Sequence, residues 1–306
     1  MRVLAAGAAF VLVVSGLAAW AGAFEPRIDG LTNLAPAALG LIGLAMVIWL
    51  ARGRKRGGTV ILMAAAAGVW LALVAPELKG LFERPHPAGG EALRLVQFNT
   101  WEKNGDWTRR RLAWLARMDP DVVTLQEIAS EDTGLLAALR ATYPYQITCE
   151  AAPYPCPVMV LSKAAPLAFG HFSGGAAPQA NTAWARFAGR KGAFTVVAVH
   201  VDRPWPDGRQ DAQLRRLSAQ LRGFESQSLV LAGDFNAAPW SFAMRRLERT
   251  SRLRRRTVAL PSWPGWFPVL PIDHVWAGSA WDTVEVRRGP FLGSDHRPIV
   301  VTLRRP

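Results

Sequence analysis

The sequence predicts an α/β fold in which helices cover the sheets of one large domain, with three apolar helices ahead of it. From residue 93 onward, short runs rich in Val, Leu and Ile alternate with amphipathic helical stretches. Strands of continuous apolar character are buried on both faces, so this alternation indicates helix-covered sheets and not an exposed β-sandwich. Three long uncharged runs fill most of the first 76 of 306 residues, in a chain that is 50% hydrophobic.

Each of the three N-terminal runs is long enough to cross a hydrocarbon layer of about 30 Å as a helix. These predicted transmembrane helices cover about residues 3–24, 31–51 and 57–76. A segment rich in Gly and Pro without periodicity follows them and predicts a linker. The predicted organisation is a membrane region, a linker and one domain, over residues 1–76, 77–92 and 93–306.

Two alternatives apply to the apolar runs. The first run could be a cleaved signal peptide, since Arg2 provides a basic start and Ala21-Gly22-Ala23 resembles a cleavage site. All three could instead be buried helices of a soluble core. Their apolar character on every face favours membrane helices over that alternative.

The loops between the runs predict the orientation of the chain. The connection between the second and third runs is strongly basic, whereas residues 25–29 are nearly balanced in charge. Basic loops stay in the cytoplasm, so three crossings place the large domain on the periplasmic or extracellular side of a multi-pass inner (plasma) membrane protein. The basic residues are Arg52, Arg54, Lys55 and Arg56.

The two cysteines, Cys149 and Cys156, flank a short Pro-rich loop. Outside the cytoplasm a disulfide could join them, restricting the loop by about 2 to 3 kcal/mol on the chain-entropy model. Two unrelated buried thiols are the alternative, and the spacing does not indicate a metal site.

The formal charge of +13 includes arginine clusters at residues 109–111 and 245–256. A basic surface favours anionic partners, including lipid head groups. The alternative explanation of such a run is a solvated helix face.

Within the large domain, apolar runs and periodic stretches predict its elements in order. Strands are predicted at residues 93–98, 122–125, 158–161, 195–199, 229–231, 272–276 and 299–303. Helices are predicted at residues 107–118, 133–142, 208–224 and 241–253, the last two after turn or cap residues.

Carboxylate, amide and imidazole side chains, which can bind metals or transfer protons, lie at the ends of five of these strands. Strand ends can meet at one edge of the fold, so these side chains can lie close together. Taken singly, each could be a turn former, a surface acid or an interior histidine. An acid inside the run 272–276, Asp273, is costly to bury unless it is paired. The strand-end residues are Asn99, Glu127, His200, Asp234 with Asn236, and Asp295 with His296.

Three motifs occur in a specific order: Gln126-Glu127, Gly233-Asp234-Phe235-Asn236 and Ser294-Asp295-His296. In this combination the chain resembles the endonuclease/exonuclease/phosphatase superfamily of DNase I-like proteins over residues 93–303. The resemblance implies a two-sheet α/β sandwich whose strand ends form a phosphate-cleaving site.

The resemblance also implies a Mg²⁺ or Mn²⁺ ion held mainly by Glu127, with Asn99 and Asp295 in or near its shell. Oxygen ligands suit such a hard cation, which keeps several waters and needs only one or two carboxylates.

The same resemblance assigns the remaining catalytic roles. Asp234 would accept a proton from the attacking water or orient it, and Asn236 would hold a phosphate oxygen while positioning that water. His296, with its ring oriented by Asp273, and His200 would donate to the scissile phosphate and neutralise developing charge. His274 lies on the opposite face of its strand by alternation, which favours a structural role.

The N-terminal runs, together with residues 237–241 and Ser262-Trp263-Pro264, are similar to a membrane-anchored bacterial branch of the superfamily. That branch includes teicoplanin-resistance proteins of the VanJ type, which act on undecaprenyl pyrophosphate. The expected activity is therefore metal-dependent hydrolysis of a lipid-linked phosphate or pyrophosphate at the outer membrane surface. The Trp-rich residues 263–270 could contact acyl chains or pack in the core.

Two further functions remain open. An extracytoplasmic nuclease is favoured by the arginine clusters and by the nuclease relatives in the superfamily. A membrane adaptor that has kept the fold but lost catalysis is disfavoured. Every expected position of the site has a side chain that can perform the catalytic or metal-binding role expected there.

Overall fold

The computed structural model describes residues 2–52, 57–80, 90–101, 107–128, 133–149, 157–172, 178–204, 207–258 and 260–306. Three apolar helices and a connecting 3₁₀-helix precede an α/β domain. These N-terminal elements are α1 (Arg2–Ala21), the 3₁₀-helix Pro26–Leu34, α2 (Ala35–Ala51) and α3 (Gly58–Gly80).

The apolar helices pack together through indole hydrogen bonds to backbone carbonyls. Trp20 Nε1 in α1 donates to the carbonyl of Val69 in α3 at 3.1 Å, and Trp70 Nε1 donates back to Leu12 at 3.0 Å. Cleavage of the first run as a signal peptide would remove both contacts. Large apolar side chains on the outer faces of the helices are exposed, which contradicts the alternative of a buried soluble core. Examples are Phe10, Val11, Leu41, Leu44 and Ile61.

Two helical segments, Pro26–Ala51 and Gly58–Leu78, are long and apolar enough to cross a membrane. In α1 the fully described part, Ala6–Ala21, is also apolar but shorter than a span. The three predicted runs are therefore helical, and two of them have the length and composition of a span. Membrane crossing itself stays a prediction.

The α/β domain consists of two six-stranded sheets in the described part of the chain. Its helices are α4 (Thr108–Met118), α5 (Thr133–Leu139), α6 (Arg209–Leu221) and α7 (Phe242–Ser251). Its strands are β1 (Glu91–Asn99), β2 (Val122–Gln126), β3 (Tyr145–Thr148), β4 (Val158–Ser162), β5 (Pro166–Gly170), β6 (Asn181–Phe187), β7 (Phe194–His200), β8 (Leu229–Asp234), β9 (Arg254–Arg255), β10 (Asp273–Ala277), β11 (Asp282–Arg288) and β12 (Ile299–Arg305).

The strand order is β11-β12-β1-β2-β4-β3 in the first sheet and β5-β6-β7-β8-β10-β9 in the second. One parallel pair lies near the centre of each sheet, β1 with β2 and β7 with β8. The neighbouring strands pair antiparallel.

Period-two alternation builds the core of the sandwich. Leu95 of β1 and Val196 of β7 point between the sheets, whereas Val96 and Val197 point outward. Helices α4 and α5 cover the outer face of the first sheet, and α6 and α7 cover that of the second. The predicted helix-covered α/β sandwich is confirmed.

All seven predicted strands and all four predicted helices of the domain are present. The prediction missed β3, β5, β6, β9 and β11. Of these, β5 is apolar but short and largely exposed, β6 includes Asn181, Thr182 and Arg186, and β11 is half-exposed and charged. A search for apolar runs therefore finds the buried central strands and overlooks most edge strands and the mixed strand β6.

Helix α3 continues past Pro76 to Gly80, so the predicted linker starts later than residue 77. Arg245 donates to the carbonyl of Leu73 at 2.6 Å, and Arg255 pairs with Glu77. These contacts bind the end of the helix to the α/β domain.

The predicted disulfide stays a prediction. Cys149 is nearly buried just after β3. Its predicted partner, Cys156, lies outside the described residues.

Candidate active site

The polar strand-end residues gather where the two sheets meet at one edge. Asn99 is in register with Gln126 across the parallel pair of the first sheet, and His200 is in register with Asp234 across that of the second. Asp273, at the start of β10, pairs antiparallel with Asp234. The carboxyl ends of parallel strands commonly form sites in this way.

Asn99 joins the two sheets at the centre of the site. Its Nδ2 donates to Glu127 Oε1 and to Asp234 Oδ2, both at 3.0 Å, while its Oδ1 accepts from the Trp101 amide at 3.0 Å. In this arrangement Asn99 orients the two carboxylates. Asn99 was predicted to lie in or near the shell of the cation, and it lies next to the predicted ligand Glu127.

His296 and Asp273 form a buried ion pair. His296 Nδ1 donates to Asp273 Oδ2 at 2.7 Å, and the backbone amide of His296 donates to Ser294 Oγ at 2.9 Å. Gln97 Nε2 donates to the second oxygen of Asp273 at 2.9 Å. The predicted orientation of the His296 ring by Asp273 is therefore present in the structure.

This pair fixes the charge of His296. Burial alone would lower the pKa of the imidazole, but the carboxylates of Asp273 and Asp234 outweigh it and raise that pKa to about 10. Burial would likewise raise the pKa of Asp273, but His296 lowers it overall. His296 is thus an imidazolium at neutral pH, and its Nε2 lies 3.6 Å from Asp234 Oδ2.

Asp234 is fully buried and has the properties of a general base. Its Oδ1 accepts from the Asn236 amide at 2.8 Å. Burial, followed by repulsion from Asp273, raises its pKa to about 6 against the opposing effect of His296 and His200. A carboxylate with a pKa near neutrality can take a proton from a water at physiological pH.

His200 and Asn236 complete the site on the side of the second sheet. His200 Nε2 lies 3.6 Å from Glu127 Oε1 and 3.7 Å from Asp234 Oδ2. Asn236 Nδ2 donates to the Val201 carbonyl at 2.9 Å. The backbones of Glu127 and Asn236 are both left-handed, with φ of 52° and 50°, a strain that clusters at functional sites.

Asp295 faces the same site from the first sheet. Its Oδ2 accepts from Trp263 Nε1 at 3.1 Å. Its Oδ1 is buried, lies 3.9 Å from His296 Nε2 and has no hydrogen-bond partner among the described residues. A buried carboxylate oxygen without a donor is suited to a cation.

The donor set fits a hard divalent cation. The ligand atoms of Glu127, His200 and Asp234 lie within 4.8 Å of one another, as do those of Asp234, Asp273 and His296. The second group already contains the ion pair of His296 with Asp273, so the Glu127 carboxylate of the first group is the better ligand for Mg²⁺ or Mn²⁺. Of the predicted ligands, Glu127 belongs to that first group, Asn99 is hydrogen-bonded to Glu127 at 3.0 Å, and Asp295 lies beside His296 of the second group.

The family model of the Endonuclease/Exonuclease/phosphatase family matches residues 96–296, a range that contains all of these side chains. The chain belongs to this family. It is a family of hydrolases that act on phosphoric esters. No curated protein is significantly similar in sequence.

Three solved structures share the fold. An endonuclease/exonuclease/phosphatase from Bacteroides vulgatus is 15% identical with a TM-score of 0.59, covering 70% of this chain and 99% of its own. Sphingomyelinase C from Streptomyces griseocarneus is 18% identical with a TM-score of 0.53, covering 69% and 99%. The human Nocturnin catalytic domain, solved with a bound sulfate anion, is 16% identical with a TM-score of 0.56, covering 72% and 97%. At these identities the similarity concerns the fold alone.

The endonuclease/exonuclease/phosphatase site also uses a residue that the sequence analysis missed. Gln97 is fully buried in β1, and its Nε2 bridges Asp273 and the side chain of Gln126, at 2.7 Å from Gln126 Oε1. Its signal in the sequence is an amide inside an apolar strand, two residues before Asn99 and therefore on the same face.

His274 has a structural role, as predicted. It is buried beside Phe235, and its Nε2 donates to the Ala237 carbonyl at 3.0 Å. Burial, with the nearby charge of Arg255, lowers its pKa to about 3. A neutral His274 therefore stabilises the turn that carries Asn236.

Gly233 is required by the close approach of β7 and β8. A Cβ atom at this position would lie 1.9 Å from the Val199 carbonyl oxygen. The backbone of Val199 cannot move away without disrupting the pairing of β7 with β8. We expect Gly233→Ala to destabilise the protein by more than about 4 kcal/mol, or to prevent folding, as measured by thermal unfolding. Gly134 in α5 is the matched control, since a Cβ there meets nothing within 4 Å. Gly134→Ala should stabilise by about 0.5 to 1 kcal/mol, and equal effects at both positions would contradict the packing argument.

Proposed function

We propose that the protein is a divalent-metal-dependent phosphohydrolase that acts outside the cytoplasm, at a membrane surface, on a lipid-linked phosphate or pyrophosphate. One observation carries the proposal: the 3₁₀-helix that joins the first two apolar helices contacts the backbone of the turn that carries Asn236. Asn33, two residues before α2, accepts from the Ala238 amide at 2.9 Å and donates to the Asn236 carbonyl at 3.4 Å. A site at the end of apolar helices meets substrates that stay in the membrane.

The side chains of the site support hydrolysis at phosphorus. A bound divalent cation would polarise a phosphoryl oxygen, and Glu127, aided by Asn99 and Asp295, would hold it. Asp234 accepts the proton of the attacking water, which Asn236 positions. His296 and His200 donate hydrogen bonds to the phosphate oxygens and stabilise the charge of the transition state.

An exposed aromatic tip beside the site supports a lipid substrate. Trp263 is bonded to Asp295, and the amide of Gly265 donates to the Asp295 carbonyl at 2.5 Å. Just beyond, Trp266 and Phe267 stack on each other and are 75% and 64% exposed. These two rings do not pack in the core, and they would contact the acyl chain of a lipid phosphate bound at the cation near Asp295.

Two structural relatives agree with this proposal. One is named as a sphingomyelinase, an enzyme of lipid phosphodiesters, and the other binds sulfate, a tetrahedral anion of phosphate shape.

The arginine clusters give less support to a nuclease than the sequence suggested. Arg111 is buried and donates to the Thr100 carbonyl at 2.9 Å, so it is not part of a solvated helix face. Arg246 pairs with Asp211 on α6. Arg110 is exposed above the Trp107 ring, at 4.7 Å from its centroid, and is the observation that favours a nuclease as second candidate.

A substrate panel tests the proposal. The detergent-solubilised full-length protein is assayed on undecaprenyl pyrophosphate, phospholipids, nucleotides and DNA, with and without chelator. We expect phosphate release from the lipid substrates that chelator abolishes and Mg²⁺ restores. Degradation of DNA alone would establish the nuclease, and inactivity on every substrate would favour the adaptor.

The aromatic tip provides a separate prediction. We expect the double substitution Trp266→Ser with Phe267→Ser to raise the KM for a lipid phosphate about tenfold or more, because it removes apolar contact with the acyl chain. Hydrolysis of a water-soluble phosphate ester should be unchanged. Leu167→Ser with Phe169→Ser is the matched control, because these residues of β5 are similarly exposed. An equal loss with both substrates, or with both double variants, would contradict a role in lipid contact.

A further inference from the structure

The 3₁₀-helix Pro26–Leu34, between the first two apolar helices, docks on the catalytic domain. The carboxylate of Asp29 accepts from the amides of Phe242 and Ala243 at 3.0 and 2.8 Å, at the start of α7. The carbonyl of Thr32 accepts from Trp240 Nε1 at 2.7 Å. The first amides of a helix lack partners within it, so Asp29 acts as a cap supplied from a segment 213 residues away in sequence.

Asn33 contacts the turn that carries the catalytic side chains. Its Oδ1 binds the Ala238 amide, and its Nδ2 binds the Asn236 carbonyl. Gln210 on α6 donates to the same Asn236 carbonyl at 3.1 Å and to the Phe235 carbonyl at 3.0 Å. The turn is thus held between α6 on one side and the 3₁₀-helix on the other.

This support matters because the turn is strained. Asn236 has a left-handed backbone, and a non-glycine residue keeps such a conformation only where its surroundings enforce it. The side chain of Asn236 and the Asp234 carboxylate are linked through the same short segment. A small shift of the turn therefore moves both groups that act on the attacking water.

The same 3₁₀-helix also reaches the segment that follows His200. A Cβ atom on Gly30 would lie 2.9 Å from the Pro204 side chain, so the backbone at Gly30 packs directly on the loop after β7. Both strand-end loops of the second sheet, after His200 and after Asp234, rest against this one element.

We propose that Asn33 is a positioning residue of the active site, and that the 3₁₀-helix between the apolar helices is a functional part of the hydrolase. Asn33 acts through the backbone at residues 236 and 238 and does not touch the substrate. The expected effect of Asn33 on the rate rests on the proposed phosphohydrolase function. The contact of Asn33 with the turn does not depend on that function.

Asn33→Ala in the full-length protein is the main test. We expect kcat to fall about ten- to a hundredfold, because a misplacement of about 1 Å can cost a factor of about 10². KM should change less than about twofold, since Asn33 acts through the turn at Asn236 and makes no contact with the substrate itself. Asn33→Asp keeps the acceptor for the Ala238 amide and should retain more of the activity than the alanine variant.

Deuterium uptake by the peptide of residues 235–240 gives a readout that needs no substrate. Asn33→Ala should speed exchange in this peptide, and Asn33→Asp should do so less. Glu25→Gln is the control, because the exposed Glu25 side chain caps the start of the same 3₁₀-helix by accepting from the Arg27 amide, and the glutamine oxygen can still accept this bond. This control should change neither exchange nor kcat.

The outcomes separate the two proposals. Unchanged exchange in Asn33→Ala, in a protein with wild-type thermal stability, overturns the positioning contact. Faster exchange with an unchanged kcat overturns its catalytic role. If the wild-type protein hydrolyses no phosphate substrate, the proposed function fails, and the exchange data still decide whether Asn33 holds the turn.

Discussion

Asp234→Asn should reduce kcat by about 10²- to 10⁴-fold, because the substitution removes the carboxylate that takes the proton of the attacking water. The amide has the same shape, and its single oxygen can still accept from the Asn236 backbone, while its NH2 group replaces the oxygen that accepts from Asn99. The loss should therefore appear in kcat, with the fold intact. Steady-state hydrolysis of the best substrate of the panel measures it.

The same substitution should raise the thermal stability at pH 7. A carboxyl whose pKa is raised in the folded state, here from 3.8 to about 6, contributes stability below pH 3.8 that is lost as the pH rises through 6. At pH 7 the ionised, buried Asp234 therefore lowers the free energy of unfolding. The neutral side-chain amide of the variant avoids this loss. Thermal unfolding is measured in chelator, so that no bound metal offsets the charge.

Asp119→Asn is the control for both measurements. Asp119 is an exposed residue with a left-handed backbone, which asparagine tolerates well, and its carboxylate pairs with Lys163 at 2.5 Å. The substitution should leave kcat unchanged and, since it removes this ion pair, should not raise the melting temperature. Full activity in Asp234→Asn would show that Asp234 is not the general base. A lower melting temperature in this variant would contradict the claim that the buried charge of Asp234 destabilises the protein.

Asp273→Asn should lower kcat by about 10³-fold, on the order of the effect of replacing the carboxylate that orients a catalytic histidine. Without the ion pair, the Nδ1 proton of His296 loses its charged acceptor and the imidazole loses its main source of positive charge. His296→Gln should have a similar effect. Because the two side chains act as one unit, the double variant should be scarcely worse than either single variant.

The stability of the wild-type protein should depend on pH through the same pair. A histidine whose pKa is raised from 6.5 to about 10 contributes stability that is fully present below pH 6.5 and is lost as the pH rises through 10. We expect the melting temperature to fall between pH 7 and 10, and this slope to be smaller in Asp273→Asn. Identical slopes in the two proteins would argue against the buried imidazolium.

Much of the domain could be predicted from local patterns. Central strands such as β2 and β8 are continuous apolar runs, which are easily detected because both of their faces are buried. Asp234, Asn236 and His296 stand at strand ends, and their neighbours carry the family motifs. Edge strands such as β11 were missed, because their exposed face requires charge and not apolar residues.

Arg111 and the arginines near α7 illustrate the limit of composition. A run of like charge predicts a basic surface, but Arg111 is buried against backbone carbonyls and Arg255 is paired with Glu77, 178 residues away. The partners of a charged side chain depend on the packing of distant segments. Spacing along the chain carries no information on them.

Local sequence patterns were sufficient to predict the apolar N-terminal helices, the helix-covered sheets and the residues that line the site. Buried elements appear as apolar runs in the sequence, and the polar residues of the site stand next to the ends of these runs. How those residues divide their roles became visible only in the folded chain. Asn99 joins the two carboxylates, Gln97 supports Asp273, and Asn33 reaches the turn at Asn236 across 203 residues. These contacts depend on how separate elements pack, and a hydrogen bond between distant segments has no period in the sequence.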